Sequence, residues 1–453
     1  MKKLLTWPAP LLQKWLLSLL LCAVLALFCA TTAQAAGVSI TLTASEYALH
    51  YAFDAGAQDP FVILEYATPA EKGWMMLYSA DGHFEGDVSL AYSGAGGKTS
   101  VALTSARTTG SIGKASTTLP KAADYQKPTG KSNAKVTDFV LTETPEGFHY
   151  AFNAAGTDYM LLYWRSKEQT VTQPVYPDEN GHYEGDIISE LTFARTQFTV
   201  QVKSGSGSMK KEATVRKGYQ APEAPQRQEG RLSGVTVCID AGHQENGRFV
   251  NEPIGPGLTG STSGKGGMAQ GTKTNRRESI VCLEIGMLLR DELLRQGANV
   301  IMTREDQTTF HTNIERCEIA EAGGAQIMLR LHCNNSSNRS KRGIQVYGPL
   351  NSDYAKAVAD ADTYREMGQK LLDAMKMRVG MTLANSTGMV RLNDNYVGNN
   401  WAKMMCFLVE MGYLSNPAEE YLLVTPVYQQ WLAEGMADGV YEIAVARGWV
   451  QAQ

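Results

Sequence analysis

Four residues able to do metal or acid–base chemistry stand at the ends of apolar runs in the C-terminal half of the chain. His243 closes the stretch VTVCIDAGH, Val235–His243. His332 follows the run Ile327–Leu331, Glu410 follows Met404–Val409, and Glu278 opens an amphipathic stretch. Two neutral imidazoles and one carboxylate can hold Zn²⁺ and leave a coordination position open for water. Zinc lowers the pKa of such a water towards neutrality and polarises a substrate carbonyl. A carboxylate outside the ligand set can take the water's proton and pass it to a leaving amine. No local HExxH-type signature links these residues. The chemistry therefore needs a fold that gathers side chains spread from position 243 to position 410.

Such a fold is written into the residues from Leu232 onward, where strands alternate with helices as in an α/β layer structure. Val235–Ile239 reads as the first, mostly buried strand, and Asp240-Ala-Gly-His243 ends it. A helix is predicted over Arg276–Arg295, with Ile280, Leu283, Met287 and Leu294 on one face and Gly297 as its stop. Further strands are predicted over Asn299–Thr303, Ile327–Leu331, Gly343–Tyr347 and Met404–Val409. Further helices are predicted over Thr312–Ala322, Asp353–Val379 and Val427–Ala446. Parallel strands would bring their carboxyl ends to one edge of the sheet, where ligands bind in open α/β folds. A helix that follows the first strand would begin near that edge too.

The N-terminal half has a different pattern. Lys2, Lys3 and Lys14 precede the apolar run Leu16–Ala30 and then Ala33-Gln34-Ala35, the layout of a secretory signal peptide over residues 1–35. The run is short for a membrane span, and an uncleaved N-terminal anchor is the alternative. Beyond it, His50-Tyr-Ala-Phe-Asp-Ala55 recurs as His149-Tyr-Ala-Phe-Asn-Ala154, and Gly82-His-Phe-Glu-Gly-Asp87 recurs as Gly181-His-Tyr-Glu-Gly-Asp186. Both pairs share one offset, which marks a duplicated domain. Short strand-like runs predict two β-sandwich repeats over 36–106 and 134–203, with Asp81-Gly82 and Asn180-Gly181 as hairpin turns. Residues 107–133 and 204–231 read as linkers, the second rich in Pro, Gln and Glu. The repeats hold His50, His83, His149 and His182; the simplest reading is that these recur because the fold recurs. Trp74, Tyr78, Tyr159, Tyr163 and Trp164 read as core or inter-strand packing, with sugar stacking as the alternative.

Composition narrows the function classes. The formal net charge is −4. Loss of a signal segment carrying three Lys and no acid leaves 39 basic against 46 acidic residues, a net −7. That balance argues against a nucleic-acid partner. Cys238, Cys282, Cys317, Cys333 and Cys406 remain after the signal, without CxxC spacing, and sit in apolar patterns as buried thiols would.

The ordered motifs CIDAGH, NRRESIVCLEIGMLL, VIMTRED, MLRLHCN and FLVEMGYLSNP closely resemble the zinc-dependent N-acetylmuramoyl-L-alanine amidases of family 3, which act on bacterial cell walls. The resemblance spans roughly Val235 to Gly448. It implies an α/β catalytic domain over 232–453, a mixed sheet with helices on both faces, preceded by the two tandem all-β repeats. It implies one Zn²⁺ on His243, Glu278 and His332, with Glu410 as the catalytic carboxylate and Asn334 as a substrate-binding residue. Arg277 is a second candidate for substrate contact, and Arg276 beside it is expected in solvent. Arg304 is expected to anchor structure. The implied reaction is cleavage of the amide between N-acetylmuramic acid and L-alanine of the stem peptide, in peptidoglycan outside the cell. Two departures stand out: a long Gly-rich loop, Gln244–Asn275, placed to border the cleft as a selector or lid, and RLHCN at the third motif. The rival readings are a zinc peptidase or carboxypeptidase on stem peptides and a non-catalytic wall-binding protein. Wall polymer and a partner protein are both open as ligands of the repeats.

Overall fold

The structure, a computed structural model, describes residues 31–34, 38–90, 93–108, 110–123, 134–144, 147–157, 159–165, 170–188, 196–204, 207–217, 223–244, 250–262, 267–380 and 390–452. Apart from 31–34, the expected signal segment lies outside the described residues. β1 (Thr31–Gln34), inside the expected signal segment, pairs with the first strand of the first repeat, which contains β2 (Ser39–Ala44), β3 (Ala48–Asp54), β4 (Phe61–Ala67), β5 (Glu71–Tyr78), β6 (His83–Ser89), β7 (Gly97–Ser105) and β8 (Ser111–Leu119). The second contains β9 (Val136–Thr144), β10 (Gly147–Ala154), β11 (Met160–Arg165), β12 (Thr170–Val175), β13 (His182–Ile188), β14 (Thr196–Lys203) and β15 (Met209–Lys217).

Each repeat is a sandwich, but the two share a layer. One sheet runs β1-β2-β3-β6 and another β13-β10-β9. The facing sheet is continuous across both repeats in the order β15-β14-β11-β12-β5-β4-β7-β8. Its seam is the antiparallel pairing of β12 with β5, Thr170 opposite Lys72 and Val171 opposite Glu71. Strands β8 and β15 lie inside the stretches expected to be linkers. Along β8 the buried positions are Gly113, Ala115, Thr117 and Leu119, and the first three are small or polar residues that leave little hydrophobic signature. Asp81-Gly82 and Asn180-Gly181 are not hairpins. They carry the chain from the shared sheet into the outer one, from β5 to β6 and from β12 to β13. Gly82 (φ 84°) is crowded against the Gly56 carbonyl carbon, 2.1 Å from where a Cβ would stand, so a side chain cannot enter.

The C-terminal domain contains β16 (Thr236–Ala241), α1 (Glu278–Arg295), β17 (Asn299–Met302), α2 (Asn313–Ala322), β18 (Ile327–Asn334), β19 (Gln345–Gly348), α3 (Asp353–Val358), α4 (Ala361–Val379), β20 (Val390–Leu392), α5 (Val397–Trp401), β21 (Met405–Tyr413), α6 (Glu419–Leu422) and α7 (Pro426–Ala446). The sheet order is β17-β16-β18-β21-β19-β20. β16, β17, β18 and β21 are mutually parallel, and β19 runs antiparallel to β21. Leu283, Ile285, Leu371, Phe407, Met436 and Val440 form one buried layer beneath α1, α4 and α7. Cys238, Cys317, Ala320, Met328 and Cys406 form the other, beneath α2 and α5. Among the described residues, the five cysteines Cys238, Cys282, Cys317, Cys333 and Cys406 are all buried and form no disulfide. The long helix expected over Asp353–Val379 is two helices. Ala359 is extended, and the Asp360 carboxylate accepts the Thr363 N–H and starts α4 as its N-cap.

The first repeat packs directly on the C-terminal domain. Phe61 on β4 is fully buried, its ring 6.0 Å from Tyr428 and 5.2 Å from Trp431. Tyr78 also packs edge-on to Trp431 at 5.2 Å, Trp74 lies 4.6 Å from Tyr421, and Tyr421 Oη donates to Glu65 at 3.2 Å. Trp74 and Tyr78 are thus inter-domain packing, while Tyr159 and Trp164 lie in the second sandwich. Truncating a buried aromatic costs about 3–5 kcal/mol. Phe61→Ala is therefore expected to uncouple the two units, so that their calorimetric transitions lie farther apart than in wild type. An unchanged melting profile would mean that this contact does not couple them.

Candidate metal and catalytic site

The site is assembled at the carboxyl ends of β16, β18 and β21. His332 on β18 and Glu410 on β21 are direct register partners. β16 ends at Ala241, and Gly242 N–H donates to the Leu331 carbonyl at 2.9 Å, turning the chain over the end of β18. A Cβ at Gly242 would stand 2.4 Å from that carbonyl and 2.6 Å from the His332 ring, so only glycine passes. His243 then adopts φ 57°, a left-handed conformation unfavourable for a side-chain-bearing residue.

Buried arginines hold that turn. Arg304 Nε donates to the Ala241 carbonyl at 2.7 Å, and its Nη2 donates to the carbonyls of Gly242 and Ser279. Arg316 donates to the carbonyls of Ala241 and His243. Asp240, fully buried, accepts from Arg316 Nη1, from Arg330 Nε at 2.9 Å and from Thr303 Oγ1 at 2.8 Å. Burial alone would raise the Asp240 carboxyl, but the two guanidinium groups override it and hold it below the usual carboxylate range. Arg304 is thus the structural anchor the sequence suggested.

Glu278 is the first residue of α1 and is buried. Its Oε1 lies 3.1 Å from His243 Nε2 and 2.9 Å from His332 Nδ1, and it accepts the Cys333 N–H at 3.0 Å. Its Oε2 accepts the Ala269 N–H at 2.8 Å. Burial opposes the Glu278 charge, and the hydrogen bonds from the two histidines outweigh burial, leaving the carboxyl below its usual range. The imidazole rings meet edge-on, 4.9 Å apart. One ligand atom from each of His243, Glu278 and His332 lies within 4.8 Å of the others, and no other group does so among the described residues. The donor set suits Zn²⁺. His332 Nε2 and Glu410 Oε2 are buried polar atoms without a hydrogen-bond partner, as expected where an ion or water completes the site.

Glu410 has a contrasting environment. Burial, and then the Glu278 charge, push its carboxyl well above the ordinary range. Burial raises the Tyr347, Tyr396 and Tyr413 hydroxyls, and the Glu410 charge adds to the shift of each. Tyr347 and Tyr396 pack with ring centroids 5.1 Å apart. Tyr347 Oη donates to Gln345 Oε1 at 2.7 Å, and Asn334 Nδ2 donates to the same oxygen at 3.2 Å. Asn334 thus lies beside the register partner of Glu410. The tyrosines come from β19, β21 and the approach to α5, and no motif spacing pointed to them.

Arg277 is the partly buried N-cap residue of α1, next to Glu278. Arg276, expected in solvent, is instead buried with Nη2 3.4 Å from Glu284 Oε1. The described parts of the Gly-rich loop are fastened at both ends. Glu252 accepts the N–H groups of Asn313 and Ile314 at the start of α2. Glu420 accepts from Thr272 Oγ1, Lys273 N and Thr274 N. Residues 245–249 and 263–266 of that loop lie outside the described residues.

Residues 237–442 match the family model of N-acetylmuramoyl-L-alanine amidases. These residues form a family-3 amidase domain. A germination-specific N-acetylmuramoyl-L-alanine amidase of Bacillus subtilis is 26% identical over 231 residues, spanning 48% of this chain and 83% of that protein. The probable cell wall amidase LytH of Staphylococcus aureus is 27% identical over 218 residues, spanning 47% of this chain and 60% of LytH. Among solved structures, an N-acetylmuramoyl-L-alanine amidase from Clostridium difficile 630 shares 24% identity over 46% of this chain and 96% of its own, with a TM-score of 0.37. The amidase Ami1 of Mycobacterium abscessus shares 19% identity over 47% of this chain and 99% of its own, with a TM-score of 0.42. The amidase domain accounts for less than half of the chain. The family match does not extend to the β repeats.

Proposed function

We propose that the chain is an exported peptidoglycan amidase that cleaves the bond between the lactyl carbonyl of N-acetylmuramic acid and L-alanine of the stem peptide. The observation that carries this reading is the convergence of His243, Glu278 and His332 on one point, with Glu410 in register beside them, inside an amidase domain. His243, Glu278 and His332 hold the ion. Zinc, when bound, supplies a Lewis acid that lowers the pKa of a water and polarises the carbonyl. Glu410 takes a proton at its carboxylate and returns it to the amine of the departing alanine, so the C–N bond breaks with a neutral leaving group. Its raised proton affinity suits that shuttle, since a carboxyl of ordinary acidity would hold a proton poorly at neutral pH. Glu278, acidified by the histidines, stays charged beside it. Their surroundings thus push the two carboxyls in opposite directions. Asn334 and Gln345, joined by a hydrogen bond, offer amide groups to the substrate at the rim, and Arg277 offers a cation to an acidic stem peptide.

The signal-like residues 1–35 direct the chain out of the cytoplasm, and the β repeats hold the amidase domain at the wall. Glu278→Ala is expected to lose one zinc equivalent per chain and peptidoglycan hydrolysis together, read by elemental analysis and by clearing of a wall suspension. A Glu278→Ala protein that retains the full zinc content contradicts this ligand set.

A further inference from the structure

The histidines of the β repeats form a pattern that the packing of a sandwich does not require. On the solvent side of β3 and β6 the register pairs are His50 with Asp87, Ala52 with Glu85, and Asp54 with His83. Period-two alternation puts all six side chains on one face. Ala52 is small, and Glu85 reaches across to both imidazoles. His50 Nε2 lies 3.3 Å from Glu85 Oε1, and His83 Nε2 lies 3.7 Å from Glu85 Oε2. The other ring nitrogens are engaged from outside: His50 Nδ1 with Asp87 at 3.1 Å and His83 Nδ1 with Asp54 at 2.7 Å.

The second repeat reproduces this on β10 and β13. His149 Nε2 lies 3.1 Å from Glu184 Oε1, and its Nδ1 lies 2.9 Å from Asp186. His182 Nε2 lies 3.7 Å from Glu184 Oε2, and its Nδ1 lies 2.7 Å from Asn153 Oδ1. Asn153 in turn donates through Nδ2 to Asp138 at 2.9 Å. That bond turns the amide oxygen towards His182 Nδ1 and leaves Nε2 on the side of the Glu184 carboxylate.

Residues that recur inside the sandwiches have a packing reason. Phe53 stacks on Phe84 at 4.9 Å, and Phe152 stacks on Tyr183 at 4.6 Å. The exposed row has none, and equivalent residues of the facing sheet differ, Tyr66 against Arg165 and Lys72 against Val171. We infer that each repeat carries a surface site for a divalent transition-metal ion such as zinc, His50-Glu85-His83 in the first and His149-Glu184-His182 in the second. The donors are two imidazole nitrogens and one carboxylate. In each imidazole the far nitrogen is held by an oxygen acceptor, the arrangement that orients and strengthens metal-bound histidine. Ligand atoms around tetrahedral zinc stand about 3.3 Å apart at zinc–nitrogen distances near 2.0–2.1 Å; the imidazole–carboxylate separations here are 3.1–3.7 Å, although the three ligand atoms of each set do not all lie within 4.8 Å of one another. The two imidazoles address opposite oxygens of the shared carboxylate, so binding draws these exposed side chains inwards. Open positions on each ion are left to water or to an oxygen ligand.

The test is zinc stoichiometry of the full chain at pH 7.5 by equilibrium dialysis, comparing wild type with Glu85→Gln, Glu184→Gln and the double variant. The His243 set is intact in all four proteins, so the difference is independent of the amidase reading. Each single variant is expected to bind one zinc fewer than wild type and the double variant two fewer, with melting temperatures and wall hydrolysis unchanged. Equal zinc content in wild type and the double variant overturns the inference and leaves the row as cross-strand histidine–carboxylate pairs.

Discussion

Glu410→Gln should cut peptidoglycan hydrolysis by about 10²–10⁴-fold, the range a positioned general base contributes, with zinc content unchanged. The amide is close in size to the carboxylate and removes the proton acceptor alone. Glu410 is not needed to build the fold: its Oε2 has no hydrogen-bond partner, and its charge stands against burial and against Glu278. Neutralising it is therefore expected to leave the melting temperature equal to or above that of wild type. Hydrolysis at the wild-type rate would remove Glu410 from the mechanism. Loss of zinc along with activity would make it a ligand instead.

The second large effect is expected at Asp240, which touches neither substrate nor ion. Asp240→Ala strands Arg316 and Arg330 in the interior without their common counter-charge. Breaking a buried ion pair from one side costs about 3–5 kcal/mol, much of the stability of an ordinary domain. The loss is read from denaturant midpoints. It should come with weaker metal retention, since the same arginines bind the carbonyls beneath His243. The wild-type protein should show the corresponding acid sensitivity. Asp240 has a folded pKa below its unfolded value of about 3.9, so its contribution is complete above that value and is lost as the pH falls further. An Asp240→Ala protein as stable as wild type would show that the arginines find other partners.

The ends of the central strands were legible because apolar, β-branched runs stop at polar residues: Ile239 before Asp240, Leu331 before His332, Val409 before Glu410. The helix α1 was legible from its apolar periodicity, with a start read two residues early at Arg276, and the mixed sheet followed from the family resemblance. What stayed hidden has identifiable physical causes. β8 buries Gly113, Ala115 and Thr117 before Leu119, so most of its alternation carries no hydrophobic contrast. The break before α4 depends on one Asp360 side chain capturing a backbone N–H, within a spacing that otherwise continues as a helix. The tyrosines around Glu410 meet only through the antiparallel return of β19, which no linear spacing encodes. The repeated histidines and their acids were visible as motifs, but which acid faces which histidine became evident only with the register.

The most direct measurement is to digest purified peptidoglycan with the full chain, with and without a zinc chelator, and to identify the newly exposed amino terminus. The account predicts a free N-terminal alanine on the released stem peptides, abolished by the chelator and restored by added zinc. A different new terminus would contradict it in favour of a peptidase. Alanine release that persists without metal would contradict the role given to His243, Glu278 and His332.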